Sequence, residues 1–204
     1  MRDILKKIAN IKGILPGGQT VSLIEAVLMA SPGPRLEIGG LCGLSTCCIM
    51  LASSDDDKVI TVDPFKIEYL SDMAKDVVAS VSGVEALEKD SFYDSWRKQV
   101  DLLRGSSNIR SVCGDRLEVL PDVIKMLDGE ELSFLFLDGL HGYTDVKQDI
   151  EAYLPLLKTD GIIVFHDYEN KGVFGVGQAV DEFVNSGHIQ TINSSYVFVG
   201  KKLK

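Results

Sequence analysis

Four side chains that can bind metal ions or transfer protons follow two apolar segments in the second half of the chain. Asp138 and His141 follow the first segment, and His166 and Asp167 follow the second. If the two segments are neighbouring parallel strands, their carboxyl ends meet at one edge of the sheet and the two carboxylates can approach each other. Two such carboxylates repel each other unless one is protonated or a cation bridges them, and oxygen ligands of this kind suit Mg²⁺ or Mn²⁺.

His141 is the natural general base of this group, because a free imidazole titrates near neutral pH. The alternative is a histidine at the start of a helix that binds only loop backbone. A third histidine, His188, falls in a predicted hairpin near the end of the chain, and we interpret it as a surface residue.

A second group of residues, near position 40, could bind a nucleotide-like cofactor. Gly39, Gly40 and Gly43 separate a short buried strand from a helix that is apolar on almost all sides. Glycine lets the backbone turn tightly and approach a ligand. Ser45 and Thr46 are expected to cap the helix. The spacing departs from the G-x-G-x-x-G fingerprint of dinucleotide-binding folds, so this pattern alone does not identify the cofactor.

Two acidic residues belong to the same region. Glu37 lies inside the otherwise apolar first strand, where a buried carboxylate needs hydrogen-bond partners. We expect it to bind backbone amides of the glycine loop. Asp63 ends the next strand, about 20 residues beyond the loop, where an acidic side chain can bind ribose hydroxyls. The alternative role of Asp63 is a helix cap before Pro64.

The segment from Glu37 to Thr46, Glu-Ile-Gly-Gly-Leu-Cys-Gly-Leu-Ser-Thr, resembles the first motif of S-adenosylmethionine-dependent methyltransferases of the Rossmann-like class. Its form is similar to that of the small metal-dependent O-methyltransferases (methyltransferase family 24). The resemblance implies S-adenosylmethionine as the cofactor. It also places Asp115 where the family contacts the adenine amino group, although a Gly-Asp pair also makes ordinary turns. The implied cofactor-binding residues are Glu37, Gly39, Gly40, Gly43, Ser45, Thr46, Asp63, Gly114, Asp115, Arg116 and Asp138.

The motif Asp-Gly-Leu-His-Gly-Tyr at 138–143, followed by Phe-His-Asp-Tyr at 165–168, resembles a branch of these methyltransferases with a metal site at the two strand ends. Relatives often carry a second carboxylate at position 166, and a histidine there makes the site softer. The implied reaction transfers a methyl group to an oxygen of a sugar, catechol or natural product, with the metal orienting the acceptor hydroxyls. The implied ligands of Mg²⁺ or Mn²⁺ are Asp138, His166 and Asp167, and the implied catalytic residues are His141 and Asp138.

These residues need a scaffold that brings strand ends to one edge. Short apolar strands alternate with amphipathic helices, which predicts an α/β fold with a doubly wound, mostly parallel sheet and a C-terminal antiparallel hairpin. The resemblance implies a Rossmann-like sheet of seven strands. We expect one domain over 1–204, with N-terminal helices in 1–34 that close the substrate site or only pack, and the core in 35–204. Strands are predicted at 35–38, 59–62, 109–113, 132–137, 162–165, 188–192 and 196–199, and a helix at 67–81.

The connection between the second and third strands is long for a single crossover. The pattern Ser91-Phe-Tyr-Asp94 is similar to a capping box, and Trp96 continues an apolar face after it. An extra helix and a lid over the site are the two alternatives, and the sequence does not decide between them.

Composition restricts the partners of the protein. The chain has 204 residues, a net charge of −9 and no basic run, which argues against nucleic acid as a partner. It has no apolar run of membrane-spanning length and no signal-peptide pattern. The four cysteines lack C-x-x-C spacing, so we expect a reduced, cytoplasmic protein without disulfides or a cysteine-based zinc site. The expected partner is a small-molecule methyl acceptor, and homo-oligomer formation is left open.

Three competing functions remain open at the level of sequence. A nicotinamide-dependent oxidoreductase needs the dinucleotide fingerprint, and Leu41 at the place of its second glycine counts against that function. An enzyme of the same fold could carry hydroxylase-type or other chemistry, because a fold does not fix a reaction. The third is a catalytically silent cofactor-binding or assembly protein, and the intact set of Asp138, His141 and Asp167 argues against it.

Overall fold

The computed structural model describes residues 1–82, 92–103, 108–172 and 174–204. It contains a seven-stranded sheet with the order β3-β2-β1-β4-β5-β7-β6. The first five strands are parallel, and β7 pairs antiparallel with both β5 and β6. The predicted α/β fold with a mostly parallel sheet and a C-terminal antiparallel hairpin is therefore confirmed. The strands are β1 (Arg35–Ile38), β2 (Val59–Asp63), β3 (Ile109–Cys113), β4 (Leu132–Leu137), β5 (Leu157–Phe165), β6 (Ile189–Asn193) and β7 (Phe198–Lys202).

Helices cover both faces of this sheet, so the central strands β1 and β4 are buried along their whole length. Alternate residues of β4 enter two different cores, because successive side chains of a strand point to opposite faces. The helices are α1 (Arg2–Ile8), α2 (Gly17–Met29), α3 (Leu44–Ala52), α4 (Asp72–Ser82), α5 (Tyr93–Leu102), α6 (Leu120–Leu127), α7 (Tyr143–Tyr153) and α8 (Phe174–Asn185). Phe134 and Phe136 belong to a core cluster shared with α1–α5, whereas Leu135 and Leu137 belong to a cluster shared with α6, α7 and α8.

The structure corrects the boundaries of several predicted elements, among them the last strand, which was expected at 196–199 and lies at Phe198–Lys202. The helix expected over 67–81 is divided into a 3₁₀ turn at Ile67–Tyr69 and helix α4, which starts at Asp72. Ser71 marks this start, because its hydroxyl accepts a hydrogen bond from the amide of Ala74 at 3.2 Å. The strand expected at 162–165 begins already at Leu157, and its first residues pair with β4 across an irregularity in the register.

The long connection between β2 and β3 contains helix α5, so the alternative of an extra helix is the correct one for residues 93–102. Trp96 on this helix is fully buried against the aromatic rings of Phe65 and Tyr93. The predicted cap at Ser91 lies outside the described residues. In the part of the chain that the structure covers, no helix combines the length and the apolar character needed to cross a membrane.

A buried ion pair fixes the start of β1. The guanidinium Nη2 of Arg35 lies 3.0 Å from Asp57 Oδ2, and the two side chains are only 3% and 5% exposed. Asp57 also accepts hydrogen bonds from the amides of Gly33 and Ser54. These contacts join the turn before β2 to the turn before β1, and they fix the positions of the two strands relative to each other.

Replacing Asp57 by alanine is expected to lower the free energy of unfolding by about 3–5 kcal/mol, because Arg35 would stay buried without its counter-charge. Urea unfolding followed by circular dichroism measures this loss. Asp56→Ala is the matched control, because Asp56 is exposed in the same turn, and it should change stability by less than about 0.5 kcal/mol. Equal effects of the two substitutions would contradict the assigned role of the ion pair.

Candidate active site

The carboxyl ends of β1, β2, β4 and β5 open into one cavity of about 610 Å³. The glycine loop after β1 lines one part of it, and residues 138–141 and 166–167 at the ends of β4 and β5 line another. Residues 13–16 and Gln19, which lie between α1 and the first turn of α2, also line the cavity. The N-terminal segment therefore takes part in the site and does more than pack against the sheet.

Gly39 has the closest contact of the loop glycines to neighbouring backbone. Its φ angle is +93°, and a Cβ atom there would lie 2.1 Å from the carbonyl oxygen of Asp138. The loop thus passes directly over the end of β4, and the amide of Gly39 donates to Val62 at 2.8 Å. This close approach places the loop and the residues after β4 in the same cavity.

Asp63 holds the glycine loop in shape. Its Oδ2 accepts hydrogen bonds from the amides of Gly40 (2.9 Å) and Leu41 (3.0 Å), and its Oδ1 accepts one from Phe65 (2.6 Å). Burial raises the pKa of Asp63 to about 6, although these three amides act in the opposite direction. Asp63 lines the cavity, and its expected contact with a ribose stays a prediction.

Glu37 does not bind the loop amides, and that expectation was wrong. Its Oε2 accepts hydrogen bonds from the hydroxyls of Thr46 (2.5 Å) and Thr61 (2.8 Å), and burial raises its pKa to about 7. Thr46 also accepts a hydrogen bond from the indole of Trp96. Because its hydroxyl is used in this way, Thr46 does not cap α3, which has Gly43 at its N-cap position and no side-chain cap.

The predicted cofactor residues therefore occupy two layers. The first layer lines the cavity, and the second layer is absent from the cavity lining. Contact of each residue with a bound cofactor stays a prediction. The residues of the first layer are Gly39, Gly40, Ser45, Asp63, Asp115, Arg116 and Asp138, and those of the second layer are Glu37, Gly43, Thr46 and Gly114.

Arg116 is held by helix α7, although it also lines the cavity. Its guanidinium group pairs with the buried carboxylate of Asp149 and donates to Asp145 (3.2 Å) and Gln148 (3.0 Å). Asp115 accepts hydrogen bonds from the amides of the two residues after Arg116 and leaves its carboxylate partly exposed at the cavity. Arg116 thus connects the turn after β3 to the helix after β4.

The two histidines approach the same two carboxylate oxygens. His141 Nε2 lies 3.5 Å from Asp138 Oδ1 and 3.1 Å from Asp167 Oδ2. His166 Nδ1 lies 3.2 Å and 3.0 Å from the same atoms. The four residues meet because β4 and β5 are neighbours whose last residues are paired in register.

The backbone after β5 aims the Asp167 carboxylate at this group. Asp167 has a φ angle of +59°, a left-handed conformation that aspartate tolerates better than most residues. Its Oδ1 accepts a hydrogen bond from the side-chain amide of Asn170 at 2.8 Å. The other oxygen, Oδ2, is then the atom that faces both histidines.

The structure adds one residue to the metal ligands expected from the sequence. It also shows a hydrogen-bond partner of His166 that no sequence pattern indicated. Among the described residues, one ligand atom each from Asp138, His141 and Asp167 lie within 4.8 Å of one another, so His141 joins the candidate ligands. Gln19 contacts His166 at 2.7 Å between Oε1 and Nε2. The two residues are 147 positions apart, and no local signal in the sequence connects them.

Comparison with known protein families shows to which family the chain belongs. Residues 36–168 match a family model described as a methyltransferase domain, which is more than half of the chain. The chain belongs to this methyltransferase family. The resemblance of the loop at 37–46 and of the motifs after β4 and β5 to methyltransferases is thereby confirmed. No curated protein sequence is significantly similar to this methyltransferase.

Solved methyltransferase structures share the fold at low sequence identity. The O-methyltransferase from Bacillus cereus in complex with SAH is 15% identical, with a TM-score of 0.65 over 100% of this chain and 90% of that chain. TomG from Streptomyces achromogenes, in complex with SAM, is 12% identical, with a TM-score of 0.66 over 99% and 87%. CalS11, a TDP-rhamnose 3′-O-methyltransferase, is 15% identical, with a TM-score of 0.59 over 98% and 92%.

The electrostatics of the methyltransferase cluster favour positive charge between the two carboxylates. Asp138 and then Asp167 raise the pKa of His141 to about 9. Burial acts to lower the pKa of His166, but the same carboxylates raise it to about 10. Burial opposes ionisation of both aspartates, and the histidines nevertheless hold their pKa values below the usual range.

The residues of this methyltransferase fit a divalent cation. His141 Nε2 is buried and has no hydrogen-bond partner in the described part of the chain, although it lies at ion-pair distance from two carboxylates. A buried nitrogen of this kind costs free energy unless a cation or proton satisfies it. Asp138, Asp167 and either imidazole offer the oxygen and nitrogen ligands that such an ion requires.

Proposed function

We propose that the chain is an S-adenosylmethionine-dependent O-methyltransferase that acts on a small hydroxylated acceptor with the help of a divalent cation. The observation that carries this proposal is the one cavity that joins the glycine loop to the two aspartates and two histidines. Its volume falls in the range of small-molecule sites, about 300–1,000 Å³. The family of the chain supports the proposal, as do the SAM, SAH and TDP-rhamnose named for proteins of similar fold.

On the cofactor side, the residues of the chain would bind S-adenosylmethionine and hold it in position. S-adenosylmethionine supplies an electrophilic methyl group when it is bound. Gly39 brings the loop backbone close to the end of β4, and Asp63 keeps the amides at the tip of the loop in place. We propose that Asp115, partly exposed at the cavity, contacts the adenine amino group. Asp138 and His141 line the same cavity as this loop, and the acceptor would lie beside them.

On the acceptor side, Asp138 and Asp167 would hold the cation and His141 would remove a proton. A bound divalent cation lowers the pKa of an acceptor hydroxyl and orients it. His141 must be neutral to act as a base, and its pKa of about 9 arises from the same two carboxylates. When the carboxylates bind a cation, they no longer stabilise the imidazolium, so the base function of His141 depends on the filled metal site.

Exposed apolar side chains at the cavity indicate the kind of acceptor. Tyr69, Met73, Leu140 and Tyr196 line the cavity, and each is at least 39% exposed. Large apolar side chains that stay exposed beside a cavity favour a ligand that covers them. We therefore propose an acceptor with an apolar or aromatic part and neighbouring hydroxyls, as in a catechol, a deoxysugar or a hydroxylated natural product, and no nucleic-acid partner.

Asp63→Ala is expected to weaken the binding of S-adenosylhomocysteine by about tenfold or more, because three backbone amides lose their acceptor and the loop loses its shape. Isothermal titration calorimetry measures this affinity. Asp160→Ala is the control, because Asp160 is an exposed residue of β5 whose carboxylate pairs with Lys201 at the surface. Equal affinities of Asp63→Ala and wild type would remove Asp63 from the site, and tighter binding of NAD would overturn the cofactor assignment.

A further inference from the structure

His166 is a buried histidine whose two ring nitrogens have different partners. Its side chain is 7% exposed, and Nε2 lies 2.7 Å from the side-chain oxygen of Gln19. Gln19 belongs to the first turn of α2 and lines the same cavity. The other nitrogen, Nδ1, faces the carboxylates of Asp138 and Asp167.

The partner of Nε2 determines which nitrogen of His166 is free to bind a metal. An amide oxygen can only accept a hydrogen bond, so the Gln19 oxygen requires a hydrogen on Nε2. In a neutral imidazole the lone pair then belongs to Nδ1. Nδ1 lies 3.0–3.2 Å from two carboxylate oxygens, an electron-rich setting in which it carries either a hydrogen that the carboxylates accept or a bound cation.

We propose that the cation of this site is a divalent transition metal of the series from Mn²⁺ to Zn²⁺, bound in preference to Mg²⁺ through His166 Nδ1, Asp138 and Asp167, with Gln19 as the residue that positions His166. This inference rests on the proposed function and specifies its metal. Gln19 acts through His166 and is a positioning residue. The sequence allowed Mg²⁺ or Mn²⁺, and this inference favours a transition metal over Mg²⁺.

The chemistry of the ligands supports this choice. Mg²⁺ prefers oxygen ligands and releases its water reluctantly, whereas imidazole suits Fe, Ni, Cu and Zn. Affinity at a mixed nitrogen and oxygen site rises from Mn²⁺ through Co²⁺ to Ni²⁺. His141, as a second imidazole on the same carboxylates, makes the surroundings of the ion still less suited to Mg²⁺.

Gln19 also occupies the kind of position that the second partner of a metal-binding histidine usually occupies. A histidine that binds a metal donates its other ring hydrogen to an oxygen acceptor, which fixes the tautomer and the ring orientation. Gln19 supplies such an acceptor. It comes from the N-terminal segment, so α2 would contribute to metal affinity without contacting the ion.

The first test compares metal affinities of the chelator-treated protein by calorimetry with Co²⁺ and with Mg²⁺. Wild type should bind Co²⁺ at least about 100-fold more tightly than Mg²⁺, and His166→Asp should reduce this ratio at least tenfold by replacing nitrogen with oxygen. The visible spectrum of bound Co²⁺ should change in the same variant. His188→Asp is the control, because His188 is exposed and packs against Phe183. Equal affinities for the two ions, or an unchanged ratio in His166→Asp, would overturn the proposal.

The second test concerns Gln19 and leaves all ligands in place. Gln19→Leu should weaken Co²⁺ binding by about 10–100-fold, whereas Gln19→Glu should restore it, because the carboxylate also accepts from Nε2. Gln190→Leu, at an exposed position of β6, is the matched control. A purely structural role of Gln19 would not produce rescue by glutamate. Wild-type Co²⁺ affinity in Gln19→Leu would contradict the positioning role.

A third measurement separates this inference from the proposed function. S-adenosylhomocysteine affinity is determined for wild type and for His166→Asp in parallel. If the cofactor product binds and wild type binds Mg²⁺ as tightly as Co²⁺, the metal inference is wrong and the proposed function stands. If wild type does not bind the cofactor product at all, the proposed function itself is contradicted, and with it the inference that rests on it.

Discussion

Asp138→Asn and Asp167→Asn are expected to reduce methyl transfer by about 100-fold or more, because a bound cation contributes several kcal/mol and each 1.4 kcal/mol is a factor of ten in rate. Each substitution keeps the shape of the side chain but removes the charge. Without that charge the paired carboxylates no longer hold a divalent cation, and the acceptor hydroxyl keeps its ordinary pKa. Most of the affinity for S-adenosylhomocysteine should remain, because neither carboxylate accepts hydrogen bonds from the amides of the glycine loop.

The alternative explanation for Asp138 is a helix cap, for which asparagine is nearly as good as aspartate. The structure argues against it, because the N-cap of α7 is Gly142 and no side chain caps this helix. Asp160→Asn, at an exposed position on β5, is the control for a change of surface charge. Activity is measured with a chelator and again after the metal is restored. Full activity in the chelator, or in both Asn variants, would contradict the metal-dependent mechanism and leave His141 as the proposed catalyst.

The strand ends were predictable because their signals are local. Residues 132–137 are apolar except for Ser133, as expected for a strand covered on both faces, and a polar residue directly after such a strand lies at the edge that carries the site. The same argument located Asp167 after β5 and the glycines after β1. It requires only that neighbouring parallel strands end at the same edge of the sheet, which the observed strand order satisfies.

The partners of the polar side chains were not predictable in the same way. Glu37 and Asp63 are both buried acids next to the loop, and the sequence assigns the loop amides to the wrong one. Asp63 binds them because β2 lies beside β1 and ends one residue further along. Glu37 points to one face of the sheet, where the hydroxyls of Thr46 and Thr61 meet it. Which acid reaches the loop depends on register, and register is a property of the assembled sheet.

Contacts that span the chain were the hardest to infer. Gln19 and His166 come together because α2 packs on α3 and β5, so the first turn of α2 reaches the cavity. Nothing in the residues around Gln19 signals a polar partner, since an isolated glutamine early in a helix is ordinary surface chemistry. The prediction of one continuous helix at 67–81 was wrong for a different reason. Its apolar spacing continues across Leu70, but the cap at Ser71 starts a new helix there.

Gly39 provides the sharpest test of how the loop is built, because a matched glycine elsewhere has a similar positive φ angle. Gly129 has a φ angle of +84°, but a Cβ atom there would meet nothing within 4 Å. Gly129→Ala therefore introduces only the cost of a left-handed alanine, about 1–2 kcal/mol. At Gly39 the φ angle is +93° and the added carbon would lie 2.1 Å from the carbonyl oxygen of Asp138, so backbone must move as well.

Gly39→Ala is consequently expected to lower the free energy of unfolding by about 3 kcal/mol or more, the sum of the left-handed strain and of overpacking. It should also weaken S-adenosylhomocysteine binding by about 100-fold, because the loop is pushed away from the end of β4 and the cavity loses the shape that both ligands share. Gly129→Ala should bind the cofactor product like wild type. Urea unfolding and calorimetry on the two variants decide the matter: if both lose the same stability and both keep their affinity, the close approach of the loop to β4 does not shape the cofactor site.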